Sequence, residues 1–432
     1  MASTLKFFRL LPFGLLLGAA AWLRFWAAPL SAGPDVPQFW GFAELFRLHG
    51  LDFYRYACGQ SDLLAHQGWG FVYPPVWLLI LGGVYLLVPN AQASLFEVDI
   101  AWRWAEKTPI IAADLVIGIL IYRFVPGALW RKLLFSALWL LNPAVWYQSA
   151  VFGQFDAIAT ALMLGSFLLI EKGHDRWGFA VAALAVMTKQ HTFIPLAFMF
   201  LAFSRNMGRR QLVTGLAIFT GVIIALSIPF IATGNLVDYG RQILFGANSP
   251  GYQEPLPYAF SGTGAVLTWL HDDFGWNTLP WLRASIPVLV VALIGAGILI
   301  YRRRIAPLPA MLIGIFLFFS LFYRINYQYL IVYMPLALLA ASRTRFVMEK
   351  VISLAAVIYP IGWLWMFGTT LWFEFHHPVA DWVAPLLNKI GLSRWWAIPD
   401  STYALYAGVL MGIFIWYVTG ALTRWRQKEH TI

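Results

Sequence analysis

Cysteine and charge are what this chain has least of. A single cysteine, Cys58, excludes an internal disulfide and any cysteine-based metal site. Asp, Glu, Lys and Arg supply 12% of the 432 residues against 60% hydrophobic ones, too little charge to solvate a water-soluble surface of this size. Negative charge is scarcer than positive: 20 acidic residues face 30 basic ones, a formal net charge of +10. Such a balance raises nucleic acid as a partner. The basic residues are instead dispersed over one set of loops between apolar runs, so membrane topology accounts for them and no nucleic acid is expected. A Walker loop, paired His or Cys ligands and a Gly-x-Ser-x-Gly elbow are all missing, which removes the chemistries that depend on them. No repeat, low-complexity tract or soluble domain interrupts the chain, so 1–432 is expected to be one membrane domain.

What the chain has in quantity is apolar runs of roughly 17–22 residues, the length a helix needs to cross a bilayer. The mean hydropathy is +0.69, and a barrel would show short alternating segments instead. Membrane segments are expected at 9–28, 73–89, 108–124, 133–150, 156–171, 177–189, 191–203, 211–232, 284–301, 306–323, 327–341, 349–372 and 402–422. Basic clusters recur at Lys6/Arg9, Arg123/Arg131/Lys132, Lys172/Arg176, Arg205/Arg209/Arg210, Arg302–Arg303–Arg304, Arg343/Arg345/Lys350 and Arg424/Arg426/Lys428, and mark the cytoplasmic side. Three longer loops, 29–72, 233–283 and 373–401, lie on the other side, where the chemistry is expected. The start, Lys6–Phe7–Phe8–Arg9 with an apolar run to Ala28, resembles a signal peptide with Ser31–Ala32–Gly33 as a cleavage site; with so many later spans, an uncleaved first helix is expected. Many of the aromatics, 17% of the chain, should sit in interfacial belts.

This topology leaves one question. With both ends and all basic loops on one side, residues 29–107 must cross an even number of times, yet only 73–89 is a good apolar run there. Either that run is re-entrant, or a second crossing hides in the amphipathic stretch 91–107, or one basic loop breaks the rule.

The first external loop carries a turn, Gly33–Pro34–Asp35–Val36–Pro37, and then a helix. Phe39, Phe42, Leu45 and Phe46 recur at helical spacing with Gln38, Glu44 and Arg47 between them, and Gly50 stops the helix. A short amphipathic helix in the membrane interface is the expectation. Asp35 would sit at its N-terminus, where the helix dipole favours a carboxylate. An ionised carboxylate at that boundary can accept a proton from a substrate hydroxyl; equally, aspartate is a favoured helix cap with no further role. Asp156, in Phe152–Gly153–Gln154–Phe155–Asp156, poses the same choice between a cap and a polar pair, Gln154 with Asp156, facing a substrate. Lys189–Gln190–His191 interrupts an apolar stretch, and a cation there calls for an anionic partner. Arg324, Arg24 and Lys107 raise the same point. Four cations at helix ends on one face would suit a phosphate, although each could instead snorkel to lipid headgroups. Tyr73–Pro74–Pro75 opens an apolar helix, as proline in a first turn does.

Taken in order, these motifs resemble the C-type (GT-C) glycosyltransferase superfamily: a first helix, an external loop starting with Asp35, an interfacial helix ending in Gly50 and Phe53–Tyr54–Arg55, then Tyr73–Pro74–Pro75. Lys107–Thr108–Pro109 with Asp114, Leu141–Asn142–Pro143–Ala144, Phe152–Gly153–Gln154–Phe155–Asp156 and Thr188–Lys189–Gln190 are similar to a bacterial branch of integral-membrane mannosyltransferases. That branch is related to the endoplasmic-reticulum glucosyltransferases of N-glycan assembly and to the first GPI mannosyltransferase. Three positions depart from the relatives. Asn326–Tyr327–Gln328 stands where many carry His-Glu-Arg/Lys, Val72 stands where the endoplasmic-reticulum enzymes have an acidic residue, and Val36 follows Asp35 where the protein O-mannosyltransferases have Asp-Glu.

The resemblance implies an all-α polytopic membrane protein, a GT-C-like bundle of about 11–14 transmembrane helices with interfacial helices in the first external loop. It implies transfer of a hexose, mannose or glucose, from a polyprenyl-phosphate carrier to a glycan or glycolipid acceptor hydroxyl. The transfer would occur on the non-cytoplasmic face of a bacterial inner membrane, by an inverting single displacement. Asp35 matches the catalytic aspartate. Lys189, Arg324, Arg24 and Lys107 are the candidates for the donor phosphate, and Asp156, Gln154, Gln190, His191, Tyr73, Tyr327 and Gln328 for the rest of the substrate site. No cofactor is required, since fixed cations can do a metal's work, while Asp156 keeps a divalent metal open. A polytopic transporter or lipid flippase is the rival, because it too places polar residues inside a bundle; no repeated halves of the kind many transporters show are found.

Overall fold

With no water in a bilayer core, backbone groups must pair within their own segment, and the apolar runs fold as helices throughout. The computed structural model describes residues 2–30, 32–94, 97–234, 236–245, 262–323, 325–362 and 400–423. In chain order the helices are α1 (Ala2–Ala27), α2 (Asp35–His49), α3 (Phe53–Tyr56), α4 (Pro75–Leu87), α5 (Ile100–Phe124), α6 (Leu129–Leu140), α7 (Pro143–Trp146), α8 (Asp156–Glu171) and α9 (Asp175–Thr188). They continue as α10 (Phe193–Phe203), α11 (Arg209–Thr233), α12 (Leu236–Phe245), α13 (Gly262–Phe274), α14 (Leu279–Arg303), α15 (Pro307–Leu321), α16 (Met334–Arg343), α17 (Val347–Ile358) and α18 (Asp400–Thr423). Among the described residues there is no strand, only an isolated bridge between Ala93 and Val98. Leu10–Ala27, Arg209–Thr233, Leu279–Arg303 and Ser401–Thr423 are each long and apolar enough to cross a membrane, and valines and isoleucines cover much of the outside of α14. The protein is an integral membrane protein.

The topology question has a geometric answer. α1 and α5 lie antiparallel: Phe13 stacks on Tyr122 at 3.9 Å near one end, and Lys107 Nζ donates to the Ala28 carbonyl at 2.7 Å near the other. The start of α5 therefore shares an end with the close of α1. Between them α4 lies along α2, with Phe39 against Trp77 at 5.3 Å and the Phe46 ring over Gly82. The chain then returns, and Trp40 Nε1 donates to the Ala91 carbonyl at 2.8 Å. The run at 73–89 thus enters and leaves on one side of the bundle. No crossing hides in 91–107 either, because α5 starts at Ile100 and carries Arg103, Glu106 and Lys107 inside it as buried residues.

One further expectation is corrected, and two other segments gain detail. The segment expected at 133–150 is broken: α6 stops at Leu140, Asn142 caps the next turn by accepting from Ala144 N at 2.9 Å, and α7 with a π-turn, Tyr147–Val151, meets α8 at a 120° bend. Pro143 causes the break, since it has no N–H to continue the ladder of α6. The loop 233–283 contains α12 and α13, and most of 373–401 lies outside the described residues. The helix expected in the first external loop forms, and one of its faces is covered by chain. Gly41 admits the Leu63 carbonyl to within 2.5 Å of where a Cβ would stand, so the segment 57–71 covers the face of α2 away from α4. Gln38 is buried as a result and is used three ways: its side chain accepts from His66 N at 2.8 Å and donates to the carbonyls of His66 and Trp69.

A buried ion pair ties three helices under this layer. Arg24 of α1 donates from Nε to Asp114 Oδ2 of α5 at 2.7 Å and from Nη1 to the carbonyls of Ala20 and of Leu140 in α6. Ser149 donates to the same carboxylate at 2.6 Å. Both charged side chains are fully buried. Removing one partner strands the other charge, so Arg24→Ala should cost about 3–5 kcal/mol, read as a lowered thermal midpoint in detergent. Arg24→Met with Asp114→Leu should recover most of the loss, and equal destabilisation by the single and double variants would contradict this account.

His66 offers a pH test of the covering segment. Its Nε2–H donates to the Pro34 carbonyl at 3.0 Å, and burial holds the ring below the usual histidine value of 6.5, against the opposing pull of the Asp35 charge and the Pro34 bond. A base with a lowered folded-state pKa favours folding above its unfolded value and loses that contribution as pH falls. Protection of segment 57–71 from proteolysis should therefore drop between about pH 7.5 and about pH 5. His66→Gln should flatten the dependence, and an unchanged pH profile would count against it.

Candidate active site

The site is built around one strap of chain, Phe152–Gly153–Gln154–Phe155–Asp156, between the π-turn and α8. Gly153 has φ +76, a conformation costly for any residue with a side chain. A Cβ there would stand 2.6 Å from Val36 Cγ2, 3.1 Å from Glu106 Oε2 and 3.3 Å from Lys107 Cε. The strap is therefore pressed against α2 and α5 at the single position able to take it. Gln154 N donates to the Gln148 carbonyl at 2.9 Å, which closes the turn. The Gln154 side chain is then aimed across the gap, and its Nε2 donates to Asp35 Oδ2.

Asp35 is the first residue of α2, half-buried, after a Pro34 N-cap that makes no side-chain capping bond. The next residue, Val36, is held through its carbonyl by Trp102 Nε1 at 3.0 Å. A carboxylate in this setting has the helix dipole and an amide donor to keep it ionised, and enough exposure to meet a substrate.

The other end of the strap carries Asp156, fully buried at the start of α8. Lys189, which ends α9, donates from Nζ to Asp156 Oδ2 at 2.6 Å, and both side chains are out of water. The ammonium also lies over three rings, 4.6 Å from the centroid of Phe155, 4.8 Å from Tyr329 and 5.5 Å from Tyr73. An aromatic cage and one carboxylate together hold a cation where neither would suffice alone. His191 Nε2 stands 4.0 Å from the second oxygen of Asp156, with its ring 5.1 Å from Tyr329. Phe155 stacks on Trp77 at 4.4 Å and meets Tyr73 edge-on, which fixes the residue between the two polar ends of the strap.

The structure brings Asp35, Gln154, Asp156, Lys189, His191 and Tyr73 to this strap. Tyr327 joins through its ring, edge-on to Phe152 at 5.2 Å, and Gln328 is buried in the following turn, Tyr327–Val332. Gln190 is a fastener: its Nε2 donates to the carbonyls of Val72 and Ile243. Arg24 is committed to the Asp114 network one turn of α1 below Ala28. Lys107 is committed to the carbonyls of Ala28 and Val151, at 2.7 and 2.8 Å. Arg324 lies outside the described residues. No three His, Cys, Asp or Glu side chains among the described residues cluster so as to hold a metal ion.

Two charged residues here escaped the sequence reading. Arg103 is nearly buried and donates to the carbonyls of Val98 and Pro29, and Glu106 is fully buried. In the sequence, Arg103–Trp104–Ala105–Glu106–Lys107 looks like a solvated helix face. The one hint against that was Pro109 in the following turn, which marks a helix packed closely enough to hold its shape around a missing N–H.

No curated protein matches the chain. Among solved structures, the chain is similar to the crystal structure of ArnT from Cupriavidus metallidurans bound to undecaprenyl phosphate. That likeness has 15% identity and a TM-score of 0.49 over 95% of this chain and 77% of that one. The model of glycosyltransferase family 87 matches residues 71–323. This match spans more than half of the sequence and takes in Tyr73, Lys107, the strap and Lys189, and by it the chain belongs to glycosyltransferase family 87, a family of the GT-C type.

Proposed function

We propose that this glycosyltransferase moves a hexose, mannose or glucose, from a polyprenyl-phosphate carrier to an acceptor hydroxyl of a glycan or glycolipid, on the non-cytoplasmic face, by a single inverting displacement. The observation that supports this reading is the strap. Gln154 and Asp156, two residues apart, hold a carboxylate and a cation on opposite sides of Phe155. Asp35 takes the proton of the acceptor hydroxyl as its oxygen bonds to the anomeric carbon, and the bond from that carbon to the lipid phosphate breaks. Lys189 stabilises the charge that develops on the departing phosphate. One of the three N–H donors of Lys189 is taken by Asp156 among the described residues, whereas Lys107 is spent on backbone carbonyls. Lys189 is therefore the cation assigned to the phosphate, with Arg324 as its expected helper, and Arg24 and Lys107 serve the scaffold. Tyr73, His191, Tyr327 and Gln328 line the space around them. Fixed cations of this kind need no metal.

Asp35→Asn keeps the shape and removes the base, so kcat should fall by about 10²–10⁴-fold with little change in donor KM. Radiolabelled polyprenyl-phosphate sugars and a soluble acceptor would measure it, and full turnover in the purified variant would end the assignment. Movement of the intact lipid across vesicles without covalent transfer would favour the flippase alternative.

Lys189 needs a test that separates binding from folding, because Lys189→Met alone leaves Asp156 charged and buried. Lys189→Met with Asp156→Leu should restore the thermal midpoint toward the parent value while transfer stays at least about tenfold down. Recovery of transfer along with stability would make the pair purely structural.

A further inference from the structure

Glu106 has no part in the chemistry above, and its surroundings call for an account. It is fully buried, and neither of its carboxyl oxygens has a hydrogen-bond partner among the described residues. One oxygen lies 3.1 Å from where a Gly153 Cβ would stand, beside Val36 Cγ2 and Lys107 Cε. Its neighbours are thus the residue after Asp35 and the residue before Gln154, which puts it directly behind the bond that holds Asp35. A carboxylate kept from water without a donor is expensive, and a carboxyl in that position resolves the cost by keeping its proton. Asp35 has the opposite setting, with a helix N-terminus, an amide donor and partial exposure. Two carboxyls whose surroundings push their protonation apart divide into an acid and a base.

We propose that Glu106 tunes donor binding from behind Asp35: in its acid form it leaves Asp35 the one ionised carboxylate of this corner, and on losing its proton it turns the site against an anionic donor. The charged groups that face this corner are Asp35 from α2, Lys107 and Arg103 from α5, and His66 from the segment over α2. Beyond the strap stand Asp156 and Lys189. Lys107 faces Glu106 without forming an ion pair with it, because its ammonium is used by Ala28 and Val151. Ionised Glu106 would add a second negative charge behind Asp35, and a lipid phosphate would have to bind against it. The alkaline loss should therefore fall on donor KM rather than on kcat. Substitution of Glu106 separates its contribution from that of the rest of the site.

The proposal rests on the donor being a lipid phosphate, and two measurements keep its failure distinct from the failure of that reading. The first is isotope-edited infrared spectroscopy of the full chain in lipid nanodiscs, with labelled glutamate. A protonated-acid carbonyl band should be present at neutral pH and lost in Glu106→Gln; a band that survives the substitution, or none in the parent, overturns the proposal whether or not sugar is transferred. The second is the pH dependence of donor KM with a polyprenyl-phosphate sugar. The parent should show a rise of about tenfold toward alkaline pH, and Glu106→Gln should show a clearly smaller one. An identical rise in both makes Glu106 a packing residue. If the infrared band behaves as expected and no polyprenyl-phosphate sugar is consumed, the proposed donor is wrong and the acid form of Glu106 stands.

Discussion

A lysine and an aspartate sealed away from water sit at the centre of this architecture. Taking either into a bilayer-embedded bundle alone is strongly unfavourable, and their attraction offsets desolvation only when the geometry is close and further groups share the charge. The 2.6 Å contact of Lys189 with Asp156 meets the first condition, and the rings of Phe155, Tyr329 and Tyr73 meet the second. Four parts of the chain must come together to satisfy one ammonium: the strap, the end of α9, the turn before α16 and the entrance to α4. The pair fixes the start of α8 relative to the end of α9, and so fixes where the strap begins and in which direction Gln154 points. The position of Asp35 is downstream of that choice.

The strap also explains why so much buried polarity collects on one side of the bundle. Its close approach to α2 and α5 leaves backbone carbonyls at Ala28, Pro29 and Val151 with no helical partner, and such groups must be satisfied when buried. Lys107 and Arg103 satisfy them from a single face of α5. Of these two, Lys107 is also one of the cations that the sequence offered for a phosphate. The distinction between Lys107 and Lys189 is one of partners, not of charge: both are buried ammonium groups, the first bonded to two backbone carbonyls and the second to the Asp156 carboxylate.

How much of this could be read in the sequence follows from which interactions are local. The helices announce themselves because each apolar run forms its own hydrogen bonds; the interruption at Lys189 and the helix after Asp35 are local events with local signals, whereas the break at Asn142–Pro143 lay inside the span expected at 133–150, where the apolar run outweighed the proline. The fate of 73–89 was not, because a helix of 13 residues is equally apolar whether it crosses a bilayer or lies along α2. Its neighbours decide, through contacts such as Phe39 with Trp77. The same limit applies to charge. Arg24 and Asp114 are 90 residues apart, and nothing near either one says that they meet. Glu106 was the hardest to see, since its meaning depends on a glycine 47 residues later having no side chain.

That dependence carries a wider consequence for how the site holds its shape. Asp35 and Asp156 come from segments far apart in sequence, and each is steadied by a residue of the strap or of its partner helix. The strap itself is held at three points: Gly153 against α5, Phe155 between Trp77 and Tyr73, and Phe152 against Tyr327. A shift at any of these points moves Gln154 and Asp156 together, and with them the hydrogen bonds that reach Asp35 on α2 and Lys189 after α9. The proposed displacement would place its demand on how the two are held, because the acceptor oxygen and the leaving phosphate would have to stand on opposite sides of one carbon. Asp35 stands on α2 and Lys189 at the end of α9, and the strap is a short segment that hydrogen-bonds to both, through Gln154 and Asp156.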